Sequence, residues 1–223
     1  MIVTIDGPAG AGKSTVTRKL ADRLHFKFLD TGAMYRSVTW LALQTHTDLK
    51  NQDALNQLAK EIDLVFDDER VFVNGTEVTK AIRDREVTRQ VVFIADAPDV
   101  REQLVNLQRR IAADGNYVCE GRDQGTVAFP DAFCKIYLTA SAYSRAIRRA
   151  EQMKSAGQFV DFDQVVIEQD VRDQQDLNRP VGKLQKAADS IEVHTDHQTL
   201  EQVVDRLEKI VRDRMAMFCS KDR

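Results

Sequence analysis

The chain is short of the residues that make linkers, cross-links and membrane spans. Four prolines and ten glycines are scattered through 223 residues. No Pro/Gly-rich stretch, internal repeat or low-complexity tract appears, so one compact unit carrying an insertion is expected. Cys119, Cys134 and Cys219 are odd in number and lack C-x-x-C or metal-ligand spacing. That excludes a disulfide framework and reads as reduced thiols in a cytoplasmic protein. The histidines at 25, 46, 194 and 197 do not join the cysteines in a metal set. Apolar runs fall far short of a membrane span, and a strand-like stretch begins at Ile2 without a leader pattern. Neither charge dominates: 32 Lys and Arg face 35 Asp and Glu, a net charge of −3. Global attraction to nucleic acid or an anionic membrane is therefore not expected, and any phosphate recognition must come from local clusters.

Such a cluster stands near the start. Gly7-Pro8-Ala9-Gly10-Ala11-Gly12-Lys13-Ser14 fits the G-x-x-x-x-G-K-[ST] phosphate-binding loop at every fixed position. Ile2-Val3-Thr4-Ile5 before it reads as a buried strand, and 14 to 24 after it as a helix, which is the context the loop requires. Glycines let the backbone curl with its N–H groups inward at a helix N-terminus, where the macrodipole also favours an anion. Lys13 is the expected contact to the β- and γ-phosphates. Ser14 is the expected ligand of Mg²⁺, a hard ion that takes few protein oxygens alongside phosphate and water.

Downstream, strands and helices alternate, which predicts a parallel sheet covered on both faces. Val16, Leu20 and Leu24 mark the inward stripe of the first helix. Phe26-Lys27-Phe28-Leu29 is a second strand that delivers Asp30-Thr31-Gly32-Ala33-Met34-Tyr35-Arg36 to the sheet end where ligands bind. At Leu64 the grammar changes. Three short runs at 64–66, 71–73 and 76–78, separated by Asp67-Asp68-Glu69-Arg70 and Asn74-Gly75, predict an antiparallel meander. It is read as an insertion over 62–95, within a core formed by 1–61 and 96–223. Asp99 is the expected N-cap of a helix whose inward face is Val100, Leu104, Leu107 and Ile111. Strands follow at 117–119 and 135–138, then helices over 141–155 and 161–178, a last strand at 190–194, and a helix opened by Thr199-x-x-Gln202 as a capping box.

Four further constellations bear on chemistry. Asp30, Thr31, Tyr35 and Arg36 surround one loop-to-helix turn, as a ligand site or as an ordinary helix cap. Gly121-Arg122-Asp123 follows a strand, so Arg122 is placed either to fork onto a phosphate or to pair with Asp123. Arg145, Arg148 and Arg149 share a helical face, where like charges repel unless an anion lies between them or the face is simply solvated. Arg172, Asp176 and Arg179 share another face, for a ligand or as plain ion pairs.

Together with the loop, the motifs at 30–36, 120–127 (Glu-Gly-Arg-Asp-Gln-Gly-Thr-Val), 129–132 (Phe-Pro-Asp-Ala) and Arg172-Asp173-x-x-Asp176-x-x-Arg179 resemble bacterial cytidylate kinases. The resemblance covers nearly the whole chain in family order. It implies an α/β P-loop kinase with a central parallel five-stranded sheet flanked by helices. An antiparallel nucleoside-monophosphate-binding insert and a short helical lid at roughly 145–163 complete that expectation. The implied reaction transfers the γ-phosphoryl of ATP, with Mg²⁺, to CMP or dCMP in a cytoplasmic monomer.

By the same resemblance, residues 7–15 (Gly7, Pro8, Ala9, Gly10, Ala11, Gly12, Lys13, Ser14 and Thr15) bind ATP. Asp30, Thr31, Tyr35, Arg36, Arg109, Arg122 and Asp123 hold the acceptor, with Arg172 and Asp176 at its ribose. Lys13, Arg122 and Arg179 act on the transferring phosphates, together with Arg145, Arg148 and Arg149 of the lid. Val92 stands where many relatives carry a serine that helps to read the base, and Lys183-Leu184 where they carry Pro-Leu. A different P-loop nucleotide or small-molecule kinase, such as a UMP/CMP kinase, shares the loop. A GTPase-type switch is disfavoured because the chain contains neither D-x-x-G nor N-K-x-D.

Overall fold

In the computed structural model, residues 1–67, 69–155, 157 and 159–221 are described. Asp68 of the meander, Ala156 and Gln158 of the expected lid, and the side chain of Cys219 lie outside that description. The element order is β1 (Ile2–Asp6), α1 (Lys13–Leu24), β2 (Lys27–Asp30), α2 (Thr31–Gln44), α3 (Gln52–Glu61), β3 (Leu64–Asp67), β4 (Arg70–Val73) and β5 (Thr76–Glu77). It continues with α4 (Arg85–Ala95), α5 (Pro98–Ala112), β6 (Tyr117–Gly121), β7 (Cys134–Thr139), α6 (Ala142–Ser155), α7 (Phe162–Asn178), β8 (Ile191–His194) and α8 (Leu200–Lys221). No helix among the described residues is long and apolar enough to cross a membrane.

Two units emerge, one formed by Met1–Leu29 with Asp114–Arg223 and the other by Asp30–Ala113. The central five-stranded sheet has the order β2-β6-β1-β7-β8. The parallel register runs Val3 opposite Val118 and Cys134, and Ile136 opposite Ile191. Alternation along these strands sends Val3, Ile5, Val118, Ile136, Leu138 and Val193 into a core with Val16, Leu20 and Leu24 of α1 and Val203, Val204, Leu207 and Val211 of α8. Thr4 and Asp6 of β1 turn to the opposite face, equally buried. The chain runs from central β1 to β2 on one side and later returns to β7 on the other. A ligand crevice in open α/β sheets lies outside the carboxyl ends of strands at such a reversal.

In the second unit, β3, β4 and β5 form the expected antiparallel meander. Asn74 and Gly75 both have positive φ, 49° and 77°, as a two-residue turn between Val73 and Thr76 demands. The 62–95 segment lies in this unit together with α2, α3 and α5. Two local expectations are corrected. The N-cap of α5 is Ala97, with Pro98 at the first helical position and Asp99 in the first turn. Proline suits that position because its missing N–H is an orphan there anyway. The buried face of α5 is also rotated, taking in Val100, Arg101, Leu104, Val105, Gln108 and Ala112, while Leu107 and Ile111 are only half-buried. That helix packs on α2, α3 and α4 together, so a wider face is covered than one apolar stripe indicates. The capping box at Thr199 forms as read: Thr199 N–H donates to Gln202 Oε1 at 2.9 Å, and Gln202 N–H to Thr199 Oγ1 at 3.3 Å.

Candidate active site

β1 ends at Asp6, and the chain then turns so tightly that a Cβ on Gly7 would sit 1.9 Å from the Leu138 carbonyl oxygen of β7. Only glycine fits there. Gly12 has φ 88° and caps α1 with no side-chain acceptor on the first-turn N–H groups. Five other helices carry such an acceptor in Asp30, Asn51, Ser141, Asp161 or Thr199. The start of α1 therefore keeps orphan donors and the positive end of its dipole beside a curled glycine backbone, which is an anion-binding arrangement. Lys13 Nζ donates to the carbonyls of Gly7 and Pro8, both at 2.8 Å, and so closes the loop on itself. Burial, reinforced by the nearby Arg122 guanidinium, pushes the Lys13 ammonium down to about 7. Ser14 and Thr15 are exposed. Among the described residues no group of three or more His, Cys, Asp or Glu is placed to hold a metal. The exposed Ser14 hydroxyl is a hard oxygen donor of the kind Mg²⁺ takes alongside phosphates and water.

Near the loop, three arginines that share a sequence face are separated by their partners. Arg145 is buried and lies 2.7 Å from Asp173 Oδ2, with Nε donating to Ala140 O at 3.1 Å and a second nitrogen to Ala9 O at 3.0 Å. Arg148 donates to Ala11 O at 3.3 Å, Thr195 Oγ1 at 2.8 Å and Thr195 O at 2.7 Å. Arg149 is exposed and donates to Gln152 Oε1 at 3.0 Å. Two of the three thus grip carbonyls of the phosphate loop itself.

The carboxylate of Asp176 gathers a second group. Arg122 Nε donates to its Oδ2 at 2.7 Å and Arg179 to its Oδ1 at 3.0 Å, with Asp176 and Arg179 buried. Burial alone would raise the Asp176 carboxyl, but Arg122, Arg179 and Arg172 outweigh it and hold it below its ordinary value. Burial opposes the charge on Arg122 too, and Asp176 with Glu120 overcomes it. Arg122 therefore pairs with Asp176, 54 residues on, and its neighbour Asp123 is buried as well.

In the second unit Asp30 caps α2 by accepting the Ala33 N–H at 2.8 Å, and its other oxygen meets Arg36 at 3.1 Å. A Cβ on Gly32 would come within 2.9 Å of an Arg36 nitrogen, so the glycine permits the guanidinium to fold back on the cap. Thr31 is buried. The Tyr35 ring lies 5.2 Å from the guanidinium carbon of Arg101, and Arg101 donates to Ala95 O at 3.1 Å. Arg109 is exposed near the end of α5, whereas Arg101 is buried at 4%. Sequence reading singled out neither Arg101 nor Asp6, and it named Asp173 only within its motif. The signal for Arg101 was its place among Ala97, Leu104 and Gln108, on the side of α5 that a one-stripe reading discards.

A glycine-curled loop with a buried lysine and converging arginines is the apparatus of phosphoryl transfer, and comparison with known proteins specifies which. A family model described as cytidylate kinase matches residues 3–213. The chain belongs to the cytidylate kinase family. A cytidylate kinase of Rhodopirellula baltica is 43% identical over 213 residues, covering 96% of this chain and 93% of that one. A bifunctional pantoate ligase/cytidylate kinase of Synechococcus sp. (strain JA-2-3B'a(2-13)) is 44% identical over 218 residues; 95% of this chain matches, spanning 40% of that protein. Among solved structures, an uncharacterized protein from Eubacterium ventriosum aligns with TM-score 0.53 at 13% identity, covering 95% of this chain and 98% of that one, a likeness of fold. The family's P-loop kinase reaction requires ATP as phosphoryl donor.

Proposed function

We propose that this family member transfers the γ-phosphoryl group of ATP to CMP or dCMP, giving ADP and CDP or dCDP. The observation that carries the reading is the convergence of Arg122 and Arg179 on one buried carboxylate, in the same unit as an uncapped helix N-terminus closed by Lys13. Guanidiniums gathered at that density neutralise charge spread over a moving phosphoryl group.

Residues 7–15 hold the triphosphate through backbone N–H groups, and Lys13 meets its terminal phosphates. Ser14 is the residue that would hold Mg²⁺, which would add charge neutralisation at the phosphate oxygens. Arg122 and Arg179 act on the transferring group, with Arg145, Arg148 and Arg149 of the lid at 145–163 as further phosphate contacts, the first two also holding the loop. Asp30, Thr31, Tyr35, Arg36, Arg109 and Asp123 hold the acceptor, with Arg172 and Asp176 at its sugar. Buried Arg101 over Tyr35 supports adding it to that set. The insert at 62–95 is read as the acceptor-binding segment of a monomer. An acceptor phosphate is already a dianion at neutral pH, so positioning and electrostatics suffice and a side-chain general base is not needed. Free, buried Cys119 and Cys134 support placing the protein in the cytoplasm.

The test is coupled ADP release with ATP and Mg²⁺ across CMP, dCMP, UMP, AMP and GMP. Turnover should be greatest with the cytidine nucleotides. Equal turnover with all monophosphates, or none with CMP, would reject the assignment.

A further inference from the structure

Asp6 lies outside every motif discussed above, yet it joins two of them. Its Oδ1 accepts the N–H of Gln124 at 2.9 Å and its Oδ2 accepts the N–H of Gly125 at 2.8 Å. These two N–H groups open the π-helical turn Gln124–Ala128, which follows Arg122 and Asp123 directly. That turn is wound on its own start, with Val127 and Ala128 donating to Asp123 O and Phe129 to Gln124 O. Gly125 also lies so close to the strands that a Cβ there would meet Thr4 Oγ1 at 3.0 Å and Lys135 Cδ at 3.2 Å. A chelating carboxylate and a close-packed glycine therefore seat the same turn on the sheet.

The chemistry of the pair of bonds is selective. An ionised carboxylate accepts at both oxygens, whereas an amide of the same shape offers one acceptor and sets its NH₂ against the second N–H. Burying a carboxylate is costly unless its hydrogen bonds are made, so a neutral residue would be the cheaper choice for packing alone. From the strand end the chain enters Gly7 directly. At the other end of the two bonds stands the segment that delivers Arg122 to Asp176.

We propose that Asp6 is a positioning residue for phosphoryl transfer: by chelating the N–H groups of Gln124 and Gly125, it locks the segment bearing Arg122 and Asp123 to the strand bearing the phosphate loop. The role rests on the kinase function proposed above. The groups facing Asp6 are Asp123, which opposes its ionisation, Lys13, which favours it, Cys119 of β6 and Tyr137 of β7. Burial chiefly raises its carboxyl to about 6, so the chelate loses its charge in an accessible pH range.

The test compares the full wild-type chain with Asp6→Asn by amide NMR and steady-state kinetics. In the wild type, the Gln124 and Gly125 amide resonances should titrate with a midpoint near 6, and kcat for CMP should fall with them as pH drops. Asp6→Asn should lose that titration. Its kcat at pH 7.5 should be about tenfold to hundredfold lower, as expected for a misplaced reacting group, with KM for ATP within about twofold of wild type. Normal kcat in the variant, or wild-type amides that do not titrate, would overturn the role. Should Asp6→Asn fail to fold, the wild-type amide titration decides alone. A wild type inactive on CMP at every pH would overturn the kinase function, and the role with it. An active wild type with an unchanged variant removes Asp6 only.

Discussion

Arg122 and Asp176, 54 residues apart in the chain, meet with Nε 2.7 Å from Oδ2, while Arg179 holds the other carboxylate oxygen at 3.0 Å. The acid proposed for the acceptor's ribose is thus, in the free chain, the shared counter-charge of two arginines proposed for phosphates.

Removing that counter-charge leaves two guanidiniums opposed to each other. Asp176→Ala should lose about 3–5 kcal/mol of stability, the range for breaking a buried pair, and with its sugar contact gone CMP should raise the variant's Tm less than the wild type's. Because the folded carboxyl lies below its unfolded value of 3.8, the contribution is complete above that value and disappears as pH falls through the lower folded one. Acid unfolding followed by circular dichroism should therefore show a steeper limb below about pH 4 in the wild type than in Asp176→Asn. Equal Tm values for wild type and Asp176→Ala would show the pair to be idle.

Lys13 yields a proton-linked prediction. With its ammonium pushed down to about 7, it is mostly neutral in the free chain at pH 8. A bound triphosphate favours the charged form, so ATP binding should take up protons at pH 8 and little at pH 6. Calorimetry in buffers of different ionisation enthalpy reads this directly. Lys13→Ala should abolish the uptake and reduce transfer by orders of magnitude with the fold retained. Buffer-independent heats at pH 8 would contradict the assignment.

On α5, the two arginines should separate cleanly. Arg101→Ala should raise KM for CMP by an amount corresponding to about 1.5–3 kcal/mol, the range for a hydrogen bond to a charged group. Arg109→Ala, at an exposed position, should change it less. The reverse ranking would return the acceptor role to Arg109.

On α6, burial should rank the basic residues. Arg145→Ala breaks contacts to Asp173, Ala140 and Ala9 and should cost about 3–5 kcal/mol along with kcat. Arg149→Ala should cost a few tenths of a kcal/mol at most. Urea midpoints and kcat for both variants check this, and equal losses would show that the two arginines act as one cluster.

Much of this protein was legible before any fold was known, because the informative signals were local. The phosphate loop, the Asn74-Gly75 turn, the Thr199 capping box and the alternation of strands and helices each depend on residues a few positions apart. Backbone sterics, capping and amphipathic period act at that range and leave their mark in the order of residues. Only the tertiary structure decided which charged groups meet. Asp6 chelates N–H groups 118 and 119 residues away, Arg122 meets Asp176 54 residues on, and Arg145 reaches Ala9 136 residues back. Such pairings depend on strand order and on which side of a helix is covered, and a buried arginine such as Arg101 has the same one-letter code as an exposed one. The partner of a long polar side chain is selected by burial and geometry after the chain has packed, so no local pattern records it.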